Sequence, residues 1–425
     1  MTVASPAPQS MAQKLIARAA RRPQVRVGEV VTCEVDIAMF HDSSGPRRLQ
    51  PMLEQLGAPI WDKSRVVLVM DHYVPERNDD ARRIVKIARD WARDQALPHV
   101  YDSQGICHVV VPQHGHIRPG MFCVGGDSHS PTGGAFGAYM FGVGSTEMLG
   151  VVTTGQIWVQ VPRTIAMRWD GALAAGVSAK DMMLAMIGRF GMNGGGYQAI
   201  EFTGSAVEAL DMNERMTLAN MSAELGAQVG LIAPDAKTRD WLAAHGAAEV
   251  DIAPWRSDPG SFDVEHGFDA SRLAPQVARP FNPANNSSID VVAGTPIQAA
   301  YIGACTGAKL DDLRFAAAVL RGRRVASGVR LLVAPASVAD RESAGRDGTL
   351  GVLEAAGAQL LPSACGVCAG YGDSFAENET VISSTARNFK GRMGPASTQV
   401  YLASPYTVAA SAVAGCIADP RGFLP

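Results

Sequence analysis

Residues 121–134 read MFCVGGDSHSPTGG. A short apolar run, Met121 to Val124, feeds a turn too glycine-rich to be a core element. In that turn Asp127, Ser128 and His129 stand side by side. A strand that delivers polar residues at its end is the mark of an open α/β sheet, which binds its ligands there. An aspartate beside a histidine can fix the ring's tautomer or raise its pKa, and either suits proton transfer. Taken alone, the competing reading of the stretch is a plain turn carrying a surface histidine. The glycines that follow, Gly134, Gly137, Gly142 and Gly144, do not fall at the spacing of a dinucleotide fingerprint.

The α/β alternation continues on both sides. Upstream, VVLVM at 66–70 reads as a buried strand ending at Asp71-His72, 79–95 as a charged amphipathic helix, and 108–111 as another strand behind Gln104-Gly105-Ile106-Cys107-His108. Met11, Leu15, Ile16 and Ala19 recur at helical spacing with Lys14, Arg18 and Arg22 outward. Downstream, 172–190 and 216–231 look helical. The stretch 254–286 has no sustained period and reads as a partly ordered interdomain segment. Strands at 289–292, 300–302 and 329–333, with helices at 311–320 and 350–356, make a second α/β block.

Composition narrows the function classes. Of 425 residues 47% are hydrophobic and 19% charged, which supplies ample core and argues against disorder. The length predicts about three domains. A net charge of −3 argues against nucleic acid or an acidic membrane surface as the main partner. There is no apolar segment of signal-peptide type and no unbroken apolar run long enough for a membrane span. Seven cysteines, an odd number, point to reduced thiols and a cytoplasmic location.

Three of those cysteines carry a chemical reading. Cys305 follows an apolar run in YIGACTG, and Cys365 and Cys368 lie 60 residues on in ACGVCAG. The close pair alone fits a redox dithiol, half a zinc site, or two small buried residues. A Cys-x-x-Cys loop also lets two thiolates reach one inorganic unit. Three thiolates would ligate three irons of a four-iron cluster and leave the fourth open, a Lewis acid able to ease loss of water. Zinc competes, although a closed zinc site wants a fourth protein ligand. Near the end, Arg387 and Arg392 flank a short loop that could clamp carboxylates or simply be solvated.

Together these segments resemble the aconitase superfamily, most closely the large subunits of 3-isopropylmalate dehydratase and homoaconitase of the shorter archaeal and bacterial type. The resemblance rests on MDHYVP (70–75), QGICH (104–108), residues 119–148 around the Asp-Ser-His turn, NMSAELGA (220–227), YIGACTG (301–307), ACGVCAG (364–370) and ARNFKGRMG (386–394). It implies an α/β fold of three domains (1–163, 164–286 and 287–425) around an iron–sulfur cluster, without the fourth, swivelling domain. That domain would then belong to a separate small subunit, in a heterodimer or heterotetramer.

The resemblance further implies a [4Fe-4S] cluster on Cys305, Cys365 and Cys368 with one open iron. His72, oriented by Asp71, would protonate a leaving hydroxyl. His108, Asp127, His129 and Glu224 would hold the iron-bound water, while Ser128, Asn220, Arg387 and Arg392 would meet substrate. The implied reaction is dehydration and rehydration of a small hydroxy di- or tricarboxylic acid, as in leucine and other amino-acid biosynthesis. Departures from the family pattern are Gly307 for an asparagine, Val367 for a proline in the Cys-x-x-Cys loop, Ala386 for an asparagine, and His41 where many members have Asn or Gln. They keep open a different substituted malate, such as 2-methylmalate or dimethylmalate, or a specialised-pathway intermediate. A non-catalytic iron-sensing scaffold and a zinc module are the readings from other classes.

Overall fold

The computed structural model describes residues 7–247, 249–371 and 375–424. The strands among these residues fall into three main sheets and one two-stranded ribbon. In the first sheet five parallel strands run in the order His99–Asp102, Val66–Met70, Ile37–His41, Phe122–Gly125, Tyr139–Gly142. Every residue of Val66–Met70 and Ile37–His41 is buried. Continuous apolar runs of this kind are what a parallel sheet covered on both faces demands. The chain starts at the central strand, builds one side, then crosses to the other. The loops after Ile37–His41 and Phe122–Gly125 therefore face each other across a switch point, where such sheets bind ligands.

The second sheet has four parallel strands in the order Val229–Ile232, Ala199–Thr203, Thr164–Asp170, Val264–Asp269. The third has seven, from Asn286–Ser288 and Gln276–Ala278 through Gln399–Ala403, Thr380–Ser383, Ala299–Ile302 and Arg330–Val333 to Ala358–Leu360. Its last five strands are parallel. They too switch direction of growth, between Ala299–Ile302 and Thr380–Ser383, so the Cys305 loop and the 384–387 loop meet at the second switch point.

Gly134 shows how closely the units pack: a Cβ there would sit 1.8 Å from the Gly230 carbonyl oxygen of the second sheet. No helix among the described residues is long and apolar enough to cross a membrane.

Several local expectations need correction. Residues 108–111 are not a strand but part of the helix Cys107–Gln113, buried through Pro112. A four-residue apolar run that is buried on all sides carries no period to separate the two states. Both expected helices are shorter: Ala179–Phe190 begins later, and Met212–Met221 both begins and ends earlier. The first is started by the Ser178–Asp181 capping box, and after the second Gly226, at φ +79, turns the chain toward the strand Val229–Ile232. The 254–286 stretch contributes the strands Val264–Asp269 and Gln276–Ala278. Val264–Asp269 lies at a sheet edge with no buried residue, so it leaves no hydrophobic run to read. Residues 289–291 form a 3-10 turn, with Val291 63% exposed.

One buried carboxyl gives the fold a pH dependence. Glu201, on Ala199–Thr203, is buried and accepts the Ser257 hydroxyl at 2.6 Å. Burial pushes its pKa from 4.5 up to about 7 against the pull of Ser257 and Lys14. The folded chain thus holds the proton more tightly than the unfolded one. This contribution to stability is complete below the unfolded value and is lost as pH rises through about 7. Glu201→Gln is expected to flatten the urea midpoint between about pH 5 and pH 8, relative to the parent chain. An unchanged slope would show that Glu201 does not titrate there.

Candidate active site

The site is assembled where the carboxyl ends of the first and third sheets meet. Asp71 and His72 leave the strand Val66–Met70, and His72 Nδ1–H donates to Asp71 Oδ1 at 2.6 Å. Asp71 Oδ2 accepts the Cys107 amide at 2.7 Å, and the Asp71 carbonyl accepts the Cys365 amide at 2.9 Å. One residue thus holds both the imidazole and the cysteine loop. Burial alone would raise the Asp71 pKa, but the His72 charge and hydrogen bond outweigh it, and the shift is downward. For His72 burial lowers the pKa, while the charges of Asp71, Asp127 and Asp42 carry it up to about 10. His72 is therefore an imidazolium at neutral pH, a proton donor in waiting.

Asp127 collects the next set of contacts. Its Oδ1 accepts His108 Nε2–H at 2.7 Å and the His129 amide at 2.8 Å, and its Oδ2 lies 3.9 Å from His72 Nε2. Burial opposes ionisation of Asp127, yet His108, then His41 and His129, hold its pKa well below the usual carboxylate range. His129 Nε2 bonds Glu224 Oε1 at 2.9 Å, and Arg387 Nε donates to the same oxygen at 2.5 Å. Glu224 is fully buried, which would raise its pKa, but Arg387 and then His129 bring it down to about 2. Its second oxygen, Oε2, has no hydrogen-bond partner. Ser128 is exposed at the rim of the same cavity.

The three cysteines come together here. Cys305 is presented by Ala304, which takes a left-handed φ of +70, an uncommon conformation for a residue with a side chain. Asn220 Nδ2 donates to Cys305 Sγ at 3.2 Å and to Thr132 Oγ1 at 2.8 Å, while its Oδ1 is buried without a partner. Each thiol feels the charge of another: Cys305 that of Cys368, Cys365 that of both. The Cys365 thiol pulls the Cys368 pKa down to about 5 against burial, with Arg392 and His129 assisting. Burial pushes Cys305 up to about 12.

Two buried lysines fix the loops behind them. Lys309 Nζ donates to the Cys305 carbonyl at 2.9 Å, and Lys180 Nζ donates to the carbonyls of Ser384 and Thr385 at 2.5 and 2.7 Å.

The donor set fits an iron–sulfur cluster better than a single ion. Among the described residues, groups of three or more donors within 4.8 Å of one another are His41–Asp42–Asp71–His72 and His108–Asp127–His129. The cysteines form no such group, whereas one zinc ion would draw each sulfur to about 2.3 Å from a common centre. Sulfurs spread more widely than that, with an N–H donor to Cys305 Sγ, suit a polynuclear group.

All thirteen residues singled out in the sequence gather at this place. The departures are packed rather than idle. At Gly307 a Cβ would sit 2.3 Å from Ser384 Oγ, which bonds the backbone of Gly303 and Gly307. Val367 and Ala386 are buried in the third hydrophobic core. Sequence reasoning gave too little weight to the loop after Ile37–His41. Asp42 accepts the amides of His72 and Tyr73 at 3.1 and 2.8 Å, and the His41 ring stacks on His72 at 3.8 Å. The available signal was an acid–imidazole pair directly after an apolar strand, as at Asp71-His72.

A cavity of about 400 Å³ opens over this network, lined by His41, His72, Asp127, Arg387, Arg392 and the 43–48 loop among others. The sequence pattern described as "Aconitase family (aconitate hydratase)" matches residues 13–295 and 290–415. The chain is 42% identical to 3-isopropylmalate dehydratase large subunit 1 of Methanopyrus kandleri, over 98% of this chain and 99% of that one. It is 39% identical to the 3-isopropylmalate dehydratase large subunit of Nitratidesulfovibrio vulgaris, over 97% and 99%. It is likewise 39% identical to the probable methanogen homoaconitase large subunit of Methanothermobacter thermautotrophicus, over 97% of both.

Proposed function

The chain belongs to the aconitase family, and from that premise we propose that it is the large subunit of a [4Fe-4S] hydro-lyase isomerising a small hydroxy di- or tricarboxylic acid. The observation that carries this reading is Asp71, whose carboxylate holds the His72 imidazolium while its carbonyl holds the Cys365 loop. Acid and cysteines are thereby kept in one frame. A domain division at 163 and 286 goes with this reading, the strand Gln276–Ala278 crossing to join the third sheet, as does a cytoplasmic location.

Cys305, Cys365 and Cys368 would hold the cluster. Its open iron would supply Lewis acidity at the substrate hydroxyl. The chain's own residues do the rest. His72 Nε2–H gives its proton to the departing hydroxyl, and Asp71 stabilises the imidazolium before transfer. Asp127 with His108, and Glu224 with His129, form two acid–imidazole pairs that would orient water beside His72. Arg387 and Arg392 receive the substrate carboxylate next to the carbon that loses its proton. That proton is weakly acidic, so the charge that builds on the carboxylate must be met by fixed cations. The base that removes it is assigned to a separate small subunit covering the cavity, as the large-subunit names of the relatives suggest.

The test is co-expression with a small subunit of the same family, anaerobic reconstitution, and a panel of 3-isopropylmalate, homocitrate, 2-methylmalate and dimethylmalate. Absorbance from the unsaturated product is expected with the pair and not with the large chain alone. No turnover of any acid by the reconstituted pair would refute the hydro-lyase reading.

A further inference from the structure

Resting on that reading, we propose that Lys180 is a positioning residue of the cysteine site: its ammonium joins the Cys305 loop to the loop of Arg387 and supplies the fixed positive charge that balances an anionic cluster there. Lys180 stands on the helix Ala179–Phe190, outside the loops that carry the cysteines, the acids and the arginines.

Three observations converge on it. Lys180 is 1% exposed, and its Nζ donates to the Ser384 and Thr385 carbonyls at 2.5 and 2.7 Å and to Thr306 Oγ1 at 3.3 Å. Thr306 follows Cys305, and Thr385 lies two residues before Arg387. One side chain thus spans both halves of the second switch point.

Second, all three acceptors are uncharged. An ammonium has three protons to give and all are placed, yet no carboxylate among the described residues pairs with it. Lys309, the other buried lysine of the site, differs: its Nζ lies 2.7 Å from Asp312 Oδ2. Asp181, next to Lys180 in the chain, instead accepts the amides of Gln276 and Ser178, both at 2.8 Å.

Third, the position disfavours a cation in two ways. Lys180 is the second residue of its helix, at the positive end of the helix dipole. Burial, aided by Lys309, pulls its pKa from 10.5 down to about 8 against the charges of Asp312, Cys368 and Cys305. A buried charge without a partner is destabilising until an anion comes near. Three thiolates outweigh the charge of an oxidised four-iron core by one, and reduction adds another, so net charge nearby bears directly on the potential. The Lys180 charge therefore opposes stability before a cluster is assembled and favours it afterwards.

The test compares Lys180→Gln and Lys180→Arg with the parent chain, before and after anaerobic reconstitution. Glutamine keeps an N–H donor and drops the charge; arginine keeps the charge. Before reconstitution, Lys180→Gln is expected to unfold at a urea midpoint no lower than the parent's. After reconstitution and brief exposure to air, the three-iron form is titrated with reductant and followed by EPR. In Lys180→Gln its reduction is expected to be about tenfold less favourable, about 59 mV more negative for one electron. Lys180→Arg should keep the parent potential. A Lys180→Gln chain that folds but assembles no cluster, where Lys180→Arg does, would support the same assignment. A Lys180→Gln chain that does not fold, or one that holds a cluster at the parent potential, would overturn the counter-charge and leave Lys180 a structural tie.

The two readings fail separately. A cluster whose potential follows the Lys180 charge, in a large–small pair that dehydrates no hydroxy acid, would retain the counter-charge and lose the hydro-lyase. A pair that dehydrates such an acid, with Lys180→Gln at the parent potential, would do the reverse.

Discussion

Replacing His72 by glutamine is expected to cut kcat by about a thousandfold, the usual contribution of a positioned general acid. Iron content and visible absorbance should stay as in the parent. The reason lies in the direction of the His72 contacts. Nδ1 is tied to Asp71 and only Nε2 faces the cavity, so glutamine fills the space without a transferable proton. Asp71→Asn tests the same dyad through pH. Without the neighbouring carboxylate, burial would dominate and lower the His72 pKa from its value near 10. The high-pH limb of the activity profile should therefore move toward neutrality, with activity recovering as pH falls. A His72→Gln enzyme within about tenfold of the parent, with iron intact, would remove His72 from the proton transfer.

Cys305→Ala should reduce turnover to background and leave the reconstituted chain without a stable cluster, whereas the fold survives. Cys305 is 6% exposed, and losing one sulfur from a packed site costs about 1 kcal/mol, small against a domain's stability. Asn220→Ala should be milder. It deletes the amide donor to Cys305 Sγ but no ligand, so the cluster should assemble and then be lost to air faster than in the parent. Iron and sulfide analysis before and after air exposure separates the two. A Cys305→Ala chain that retained a full complement of iron would show that the cluster is held elsewhere.

How much could be read without coordinates follows from where each residue sits. Val66–Met70 and Asp79–Asp94 were plain because one is a continuous buried run and the other a strongly amphipathic helix with an Asn78 cap. The strand Val264–Asp269 was not, because its buried partner residues lie a hundred positions away on Thr164–Asp170. The cysteines and the Asp-Ser-His turn were legible through their chemistry and the family pattern. Their convergence was not, since it depends on two sheets reversing growth at facing switch points. His41 stands out in the sequence as a departure, yet its stack on the His72 ring and its contacts to two backbone amides are invisible there. Gly307 is explained by Ser384, 77 residues on.

Iron and acid-labile sulfide, counted per chain after anaerobic reconstitution, test most directly whether the three cysteines share one cluster. About four of each are expected in a brown protein, and about three irons after brief exposure to air as the open one leaves. A colourless chain that takes up one zinc and no sulfide, with Cys305, Cys365 and Cys368 intact, would contradict it.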